Sequence, residues 1–277
     1  VKNALNLSKA PLVAMNLYFI CGFSFFFKTK VSSIGVLDIF GTSITPTWGL
    51  LYLRVCFIFS DFGGGCISRD ELEQKMDAYI KEIQLFNKTA NLVGTDDYDE
   101  LSIHHVLDCL AGVKTFASIA KQEQAKKGSE KLIIGDIGSG SGFPGLVLAS
   151  VFSEYNFCLI ERMKKRCSFL ESTAAVLGLK NVSVINKDAD KIKKKSLDIA
   201  TFRAFRPLTL DMTKTILAML ALGGVVIAYK AKSEKIREEM EGIKEIVPSY
   251  EKLSLCVPFL TENTTEPRER NLVIFRK

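Results

Sequence analysis

At 277 residues, with 47% of them apolar, the chain has room for one large α/β domain with an appendage and enough apolar content to bury a core. Seven cysteines, odd in number and without a C-x-x-C pair, argue against a zinc site and a disulfide framework and fit a reduced, cytoplasmic setting; two histidines cannot build a histidine-rich metal site. The net charge is +6, but residues 1–65 hold five Lys or Arg against two Asp or Glu, so the remainder, with 32 and 29, carries only about +3, which permits RNA binding through local patches without requiring it.

Residues 1–65 are apolar, aromatic and almost uncharged. Leu12 to Phe27 form a 16-residue run between Pro11 and Lys28, short of the roughly 20 that a membrane span needs. A second run, Trp48 to Ser60, is shorter and carries Arg54, and Lys2 and Lys9 imitate a signal peptide that lacks a small-residue cleavage site. The segment reads first as upstream sequence translated from a misplaced start and second as a membrane anchor, so a membrane is a partner only if the anchor is genuine.

From Ser68 the pattern is helical. Ser68 and Glu71 make a capping box, and Leu72, Met76, Tyr79, Ile80, Ile83 and Phe86 follow at helical spacing. A second helix is predicted over Tyr98 to Ala120, carrying His104, His105 and Asp108, and the polar tract Lys121 to Glu130 is predicted to be a linker. Residues 66–130 thus read as a helical extension and 131–277 as an α/β domain. Within the latter, strands are predicted near 132–137, 156–161, 182–185, 197–203 and 224–230, alternating with helices near 143–152, 164–177, 207–221 and 233–246. Two last strands, near 250–257 and 271–276, have no helical pattern between them and should form an antiparallel hairpin at the edge of a mostly parallel, seven-stranded, Rossmann-like sheet.

The run from Lys131 to Gly145 joins a buried strand to a glycine loop and a helix, the layout of a nucleoside-cofactor site. Gly138, Gly140 and Gly142 allow tight turning and close backbone approach to a ligand. A dinucleotide fingerprint counted from Gly138 fails at Phe143; counted from Gly140 it ends on Gly145, but then Pro144 stands where the pyrophosphate-binding helix should open. Asp136 at the strand end suits a cationic ligand better than a diphosphate, which favours S-adenosylmethionine, with a nicotinamide-dependent oxidoreductase as the alternative. The next strand ends in Glu161, about 20 residues on, placed to accept from both ribose hydroxyls in either reading.

Phe86-Asn-Lys-Thr-Ala-Asn-Leu92, His105-Val-Leu-Asp108, the loop from Gly138 to Gly145 with its Phe-Pro-Gly, Lys165-Arg166 with Phe169-Leu170, and Arg203-Ala-Phe205 resemble, in order and spacing, the bacterial 16S rRNA guanine-N7 methyltransferases, also called glucose-inhibited division protein B. The resemblance covers roughly residues 68–277. It implies a class I S-adenosylmethionine-dependent methyltransferase fold with an N-terminal helical extension. It also implies 16S ribosomal RNA or the small ribosomal subunit as partner, and cofactor contacts at Gly138, Phe143, Ala189, Asp190 and Arg203, with Asp190 on the adenine amino group and Phe143 as an apolar wall. The chain departs from the pattern at Val93, where threonine is usual, and at Phe202, where a small hydroxyl residue is common. Residues 1–65 have no counterpart in it.

Guanine N7 has a lone pair and no proton, so its methylation needs alignment rather than a general base. The chain agrees by exclusion: no cysteine follows a proline, as a cytosine-C5 methylase needs, and Thr201 to Pro207 replaces the Pro-Pro-aromatic motif of amino-methylating enzymes; methylation of a 2′-oxygen, of another RNA or of a small molecule stays open. No covalent or acid-base catalyst and no metal are expected. Arg203, at a central strand end, is expected to orient phosphate or the guanine edge. Lys164, Lys165, Arg166, Arg206, Lys230, Lys232, Arg268 and Arg270 are candidates to track the RNA backbone. His105 and Asp108, three apart on one helix face, are expected to form a hydrogen-bonded pair joining the extension to the α/β domain.

Overall fold

The structure, a computed structural model, describes residues 67–262 and 264–277. Both readings of residues 1–65 fall outside the described residues.

Helix α1, Arg69–Ala90, starts at the predicted cap, where the Ser68 hydroxyl accepts from the Glu71 N–H at 3.2 Å. Leu72, Met76, Tyr79, Ile80 and Ile83 form its buried stripe. It stops at Asn91, in the left-handed region at φ 47°. Asn87 fixes this end: its Oδ1 accepts from the N–H groups of Leu92 and Val93, and its Nδ2 donates to Asp96 and to the Thr95 carbonyl. The Phe86–Leu92 motif is therefore a helix stop built from two asparagines, the residue type that best tolerates that backbone after glycine.

The single helix predicted over Tyr98 to Ala120 is broken. It consists of α2 (Tyr98–Leu101), a π-helical turn (Ser102–Leu107), α3 (Asp108–Ala111) and, after Gly112, α4 (Val113–Lys127). The break has an identifiable cause. The Tyr229 hydroxyl donates to the Cys109 carbonyl at 3.1 Å, and a Cβ on Gly112 would lie 2.4 Å from that hydroxyl oxygen. The predicted linker Lys121–Glu130 is helical as far as Lys127, because its charges meet partners on the sheet. Lys127 pairs with Asp198 at 2.6 Å and Glu123 with Arg276 at 2.7 Å.

The α/β part follows as β1 (Ile133–Ile137), α5 (Gly145–Val151), β2 (Asn156–Glu161), α6 (Lys164–Val176), β3 (Val182–Asn186), a 3-10 turn (Ala189–Lys191), β4 (Leu197–Arg203), α7 (Leu210–Met219), β5 (Leu220–Lys230), α8 (Ser233–Gly242), β6 (Glu251–Ser254) and β7 (Asn271–Arg276). The sheet order is β3-β2-β1-β4-β5-β7-β6, parallel except that β7 runs antiparallel to β5 and β6. The predicted hairpin forms, with β7 inserted between β5 and β6. β5 begins at Leu220 rather than near 224, and a register shift opposite Leu197 to Ile199 absorbs the extra residues.

Both faces of the sheet are covered, so its strands read as unbroken apolar runs. On β5, Val225, Ile227 and Tyr229 face a core shared with Tyr79, Leu107 and Phe116 of the extension, while Val226 and Ala228 pack with Ile216 and Met219 of α7 and with Ile236 and Met240 of α8. The helical extension is one wall of the sheet's own core. Each large side chain buried there contributes about 1.5–3 kcal/mol.

Candidate functional site

At the carboxyl ends of β1, β2 and β4, where open α/β sheets bind ligands, lies a cleft of about 610 Å³. Its wall includes Gly138, Glu161, Met163, Ala189, Asp190 and Phe205. The volume falls within the roughly 300–1,000 Å³ typical of small-molecule sites.

The glycine loop forms one side. The N–H groups of Gly138 and Ser139 donate to the Ile160 carbonyl at 2.9 and 3.1 Å, tying the loop to β2, and Gly138 and Gly140 have φ of 69° and 55°. Glu161 faces them, nearly buried. Its Oε2 accepts from the Gly140 N–H at 3.0 Å and its Oε1 from the Met163 N–H at 2.8 Å, which fixes the carboxylate while each oxygen retains a lone pair for a further donor. A Cβ on Gly140 would find only the Gly138 carbonyl oxygen at 3.7 Å and Arg166 Nη1 at 3.8 Å, so space along the loop is open. Met163, 44% exposed, presents an apolar surface at the mouth.

This set fits a nucleoside with a cationic tail better than a dinucleotide. The donor that would meet a diphosphate at the start of α5, the Gly145 N–H, is taken by Asp136 Oδ2 at 3.2 Å. Asp136 itself lies behind the loop, fully buried, and a Cβ on Gly145 would stand 2.5 Å from its Oδ2. It braces the strand-to-helix turn and does not line the cleft, contrary to the expected ligand contact.

Burial pushes the Asp136 carboxyl up to about 7. Burial, and then the Arg203 guanidinium, push His105 down to about 3. The signs oppose. The Asp136 contribution to stability is complete below its unfolded value near 4 and is lost as pH rises through about 7; the His105 contribution is complete above about 6.5 and is lost as pH falls toward about 3. Between about pH 4 and 6.5 the two offset one another, so Asp136→Asn should expose the His105 slope. Its melting temperature is expected to fall more steeply on acidification than that of the native chain, as followed by circular dichroism, and parallel profiles would overturn the assignment.

Gly142 and Phe143 turn away from the cleft toward the extension. A Cβ on Gly142, at φ 94°, would lie 2.7 Å from the Tyr79 hydroxyl oxygen, which donates to the Ser141 carbonyl at 2.5 Å. The Phe143 ring is buried between Tyr79, at 5.0 Å, and His105, at 5.1 Å, with the Arg203 guanidinium 5.7 Å from its centroid. Placed just before α5, it fills the seam between loop and extension instead of forming a wall of the cleft.

Arg203, at the end of β4, is held by the extension at every nitrogen. Nε donates to Asp108 Oδ2 at 3.1 Å, Nη2 to the His104 carbonyl at 2.6 Å, and Nη1 to His105 Nδ1 at 2.9 Å. Since a guanidinium has only donors, that contact sets Nδ1 of neutral His105 as the acceptor. The expected direct pair of His105 with Asp108 is replaced by this three-way bridge, in which Arg203 stands between them, and Arg270 Nε adds a second bond to Asp108 Oδ2 at 3.0 Å. The π-helical turn presents the His104 carbonyl and His105 ring side by side to one arginine.

The cleft thus brings together Gly138, Glu161, Ala189 and Asp190, joined by Gly140 through its bond to Glu161, and leaves Asp136, Gly142, Phe143 and Arg203 as its supports. Arg166 and Arg206, both candidates for the RNA backbone, also stand in the cleft wall, and Arg166 Nη2 donates to the Asn91 carbonyl at 2.8 Å. Met163 and Phe205 carried no sequence signal of their own as cleft residues. Phe205 reaches the site because Ala204 adopts φ 50° and turns the chain back over the loop, so that a Cβ on Gly138 would lie 2.2 Å from the Phe205 ring.

A seven-stranded sheet in this order with a reversed last strand, opening on a glycine loop and a strand-end carboxylate, defines a class I S-adenosylmethionine-dependent methyltransferase. Residues 72–272 match the family described as rRNA small subunit methyltransferase G, and the chain belongs to that family. The protein called ribosomal RNA small subunit methyltransferase G in Treponema denticola is 36% identical over 230 residues, which are 76% of this chain and 88% of that protein. The protein of the same name in Borrelia garinii subsp. bavariensis is 36% identical over 203 residues, 73% of this chain and 88% of that protein. Among solved structures, tRNA (m1A58) methyltransferase from Aquifex aeolicus superposes with a TM-score of 0.47 at 17% identity, covering 60% of this chain and 68% of that one.

Proposed function

We propose that this protein methylates N7 of a guanine in 16S ribosomal RNA, in the cytoplasm, on RNA presented by the small ribosomal subunit. The observation that carries the reading is the Glu161 carboxylate fixed beside the Gly138–Gly140 turn, with the diphosphate-type donor of α5 already occupied by Asp136. Bound in this cleft, S-adenosylmethionine supplies an electrophilic methyl group. Glu161 would accept from the ribose hydroxyls, Ala189 and Asp190 would flank the adenine with Asp190 accepting from its amine, and Gly138 and Gly140 would let the backbone approach the tail.

A proton-free nucleophile needs no base. His105 is neutral, half-buried and spent on Arg203, and Asp136 sits behind the loop. What remains for the chain is to align the reactants, which in well-oriented reactions contributes about 7–11 kcal/mol. Lys164, Lys165, Arg206, Lys232 and Arg268 are exposed and suited to the RNA backbone, so affinity should fall steeply with salt. No helix among the described residues is long and apolar enough to cross a membrane.

Mapping modified nucleotides of small-subunit RNA from cells with and without the gene tests the reading. One 7-methylguanosine is expected to be missing without it. An unchanged modification map would end the proposal.

A further inference from the structure

Behind the Ala204–Phe205 turn lies a second cavity of about 210 Å³, bounded by Asp108, Arg203, Phe205, Tyr229, Lys230 and Arg270. It shares Ala204 and Phe205 with the cleft, so the two spaces adjoin at that turn. It is smaller than the 300 Å³ or so at which small-molecule sites begin, which suits a single base rather than a second nucleoside cofactor. Three cations border it. The one anion, Asp108, is 2% exposed, and its Oδ2 is already shared between Arg203 and Arg270.

We propose that this recess seats the acceptor guanine, which rests on the reading of the reaction given above, and that Arg270 is the residue that tells guanine from adenine. The two purines differ at position 6, where guanine has an acceptor oxygen and adenine a donor amine. Asp108 Oδ1 has no partner but is buried out of a ligand's reach, so the rim meets a base with donors and selects the oxygen. Arg203 spends its three nitrogens on the helical extension, and Lys230 Nζ is paired with Glu239 at 2.5 Å. Arg270 spends Nε on Asp108 and Nη1 on the Glu269 carbonyl at 2.9 Å, and among the described residues its Nη2 remains to donate into the recess. Asp108 acts through Arg270 as a positioning residue. Phe205, at the shared turn, offers a ring on which the base stacks; such stacking is tolerant of base identity, so discrimination is left to the edge.

The test uses the full chain with S-adenosylhomocysteine present and a short single-stranded RNA containing one guanine, compared with the same RNA carrying 2-aminopurine, which keeps N7 but lacks the 6-oxygen and is fluorescent. The guanine RNA is expected to bind about tenfold more tightly, the difference of one charge-assisted hydrogen bond. Arg270→Lys, which keeps a positive charge beside Asp108, should erase that difference and leave S-adenosylhomocysteine affinity unchanged. Fluorescence of the 2-aminopurine RNA should be quenched by the native chain and much less so by Phe205→Ala. Equal affinity of the two RNAs for the native chain, or full discrimination by Arg270→Lys, would overturn the recess assignment even with 7-methylguanine as the product. Discrimination with the methyl group found on another atom would instead sink the ring-nitrogen reading and keep the recess.

Discussion

Arg203→Ala is expected to destabilise the fold by about 3 kcal/mol, the lower end of the loss seen when one member of a buried ion pair is removed, since Asp108 keeps Arg270. The loss is not confined to the pair. Asp108 is 2% exposed, its Oδ1 already has no partner, and the variant also strips the His104 carbonyl and His105 Nδ1 of their donor. Buried acceptors left without donors account for most of the penalty. For a chain of this size it corresponds to a fall of about 6–12 °C in melting temperature, measurable by calorimetry. Arg203→Lys should recover only part, because one ammonium cannot reach three acceptors spread over the π-helical turn. Below the new melting point the variant should still bind S-adenosylhomocysteine with nearly native affinity, since Arg203 stands outside the cleft. A large loss of cofactor affinity without loss of stability would return Arg203 to the role that the family resemblance implied.

The contrast between Arg203 and Glu161 shows which parts of the site were legible in the sequence. Glu161 was legible because a strand-end carboxylate at a fixed interval after a glycine loop has one geometric consequence, set by the parallel pairing of β1 with β2. Ala189 and Asp190, in the turn after β3, are named by the family resemblance alone, since no local rule marks them. The side of the loop that Phe143 and Arg203 face is decided by contacts with α1 and the π-helical turn, 38 to 99 residues away in the chain, whereas Asp136 is turned inward by the Gly145 N–H, nine residues on. The π-helical turn itself had no signature: His104 and His105 fit an α-helical face equally well. The Lys121–Glu130 tract was misread because polar composition does not distinguish a solvated linker from a helix whose charges meet Asp198 and Arg276. By contrast, the Ser68 cap and the apolar runs of β1, β2, β4 and β5 are local rules, and they hold, although Glu71 pairs with Lys75 in place of closing the box on Ser68.

Gly138→Val should weaken S-adenosylhomocysteine binding at least a hundredfold, read by titration calorimetry. Two separable costs are at work. A β-branched residue at φ 69° is a genuine backbone outlier, and its Cβ would stand 2.2 Å from the Phe205 ring, so either the loop or Phe205 must shift into the cleft. Gly178 supplies the control, because it has a similar φ of 66° with nothing within 4 Å of an added Cβ. Gly178→Val carries the backbone cost alone and should lower stability by about 1–2 kcal/mol without touching cofactor affinity. Gly138→Val combined with Phe205→Ala separates the remainder: if overlap with the ring displaces the loop, the double variant should bind better than Gly138→Val alone, a coupling that independent sites do not show. Native affinity in Gly138→Val, with the protein folded, would mean that the turn between Ile137 and Gly140 is not where the cofactor lies.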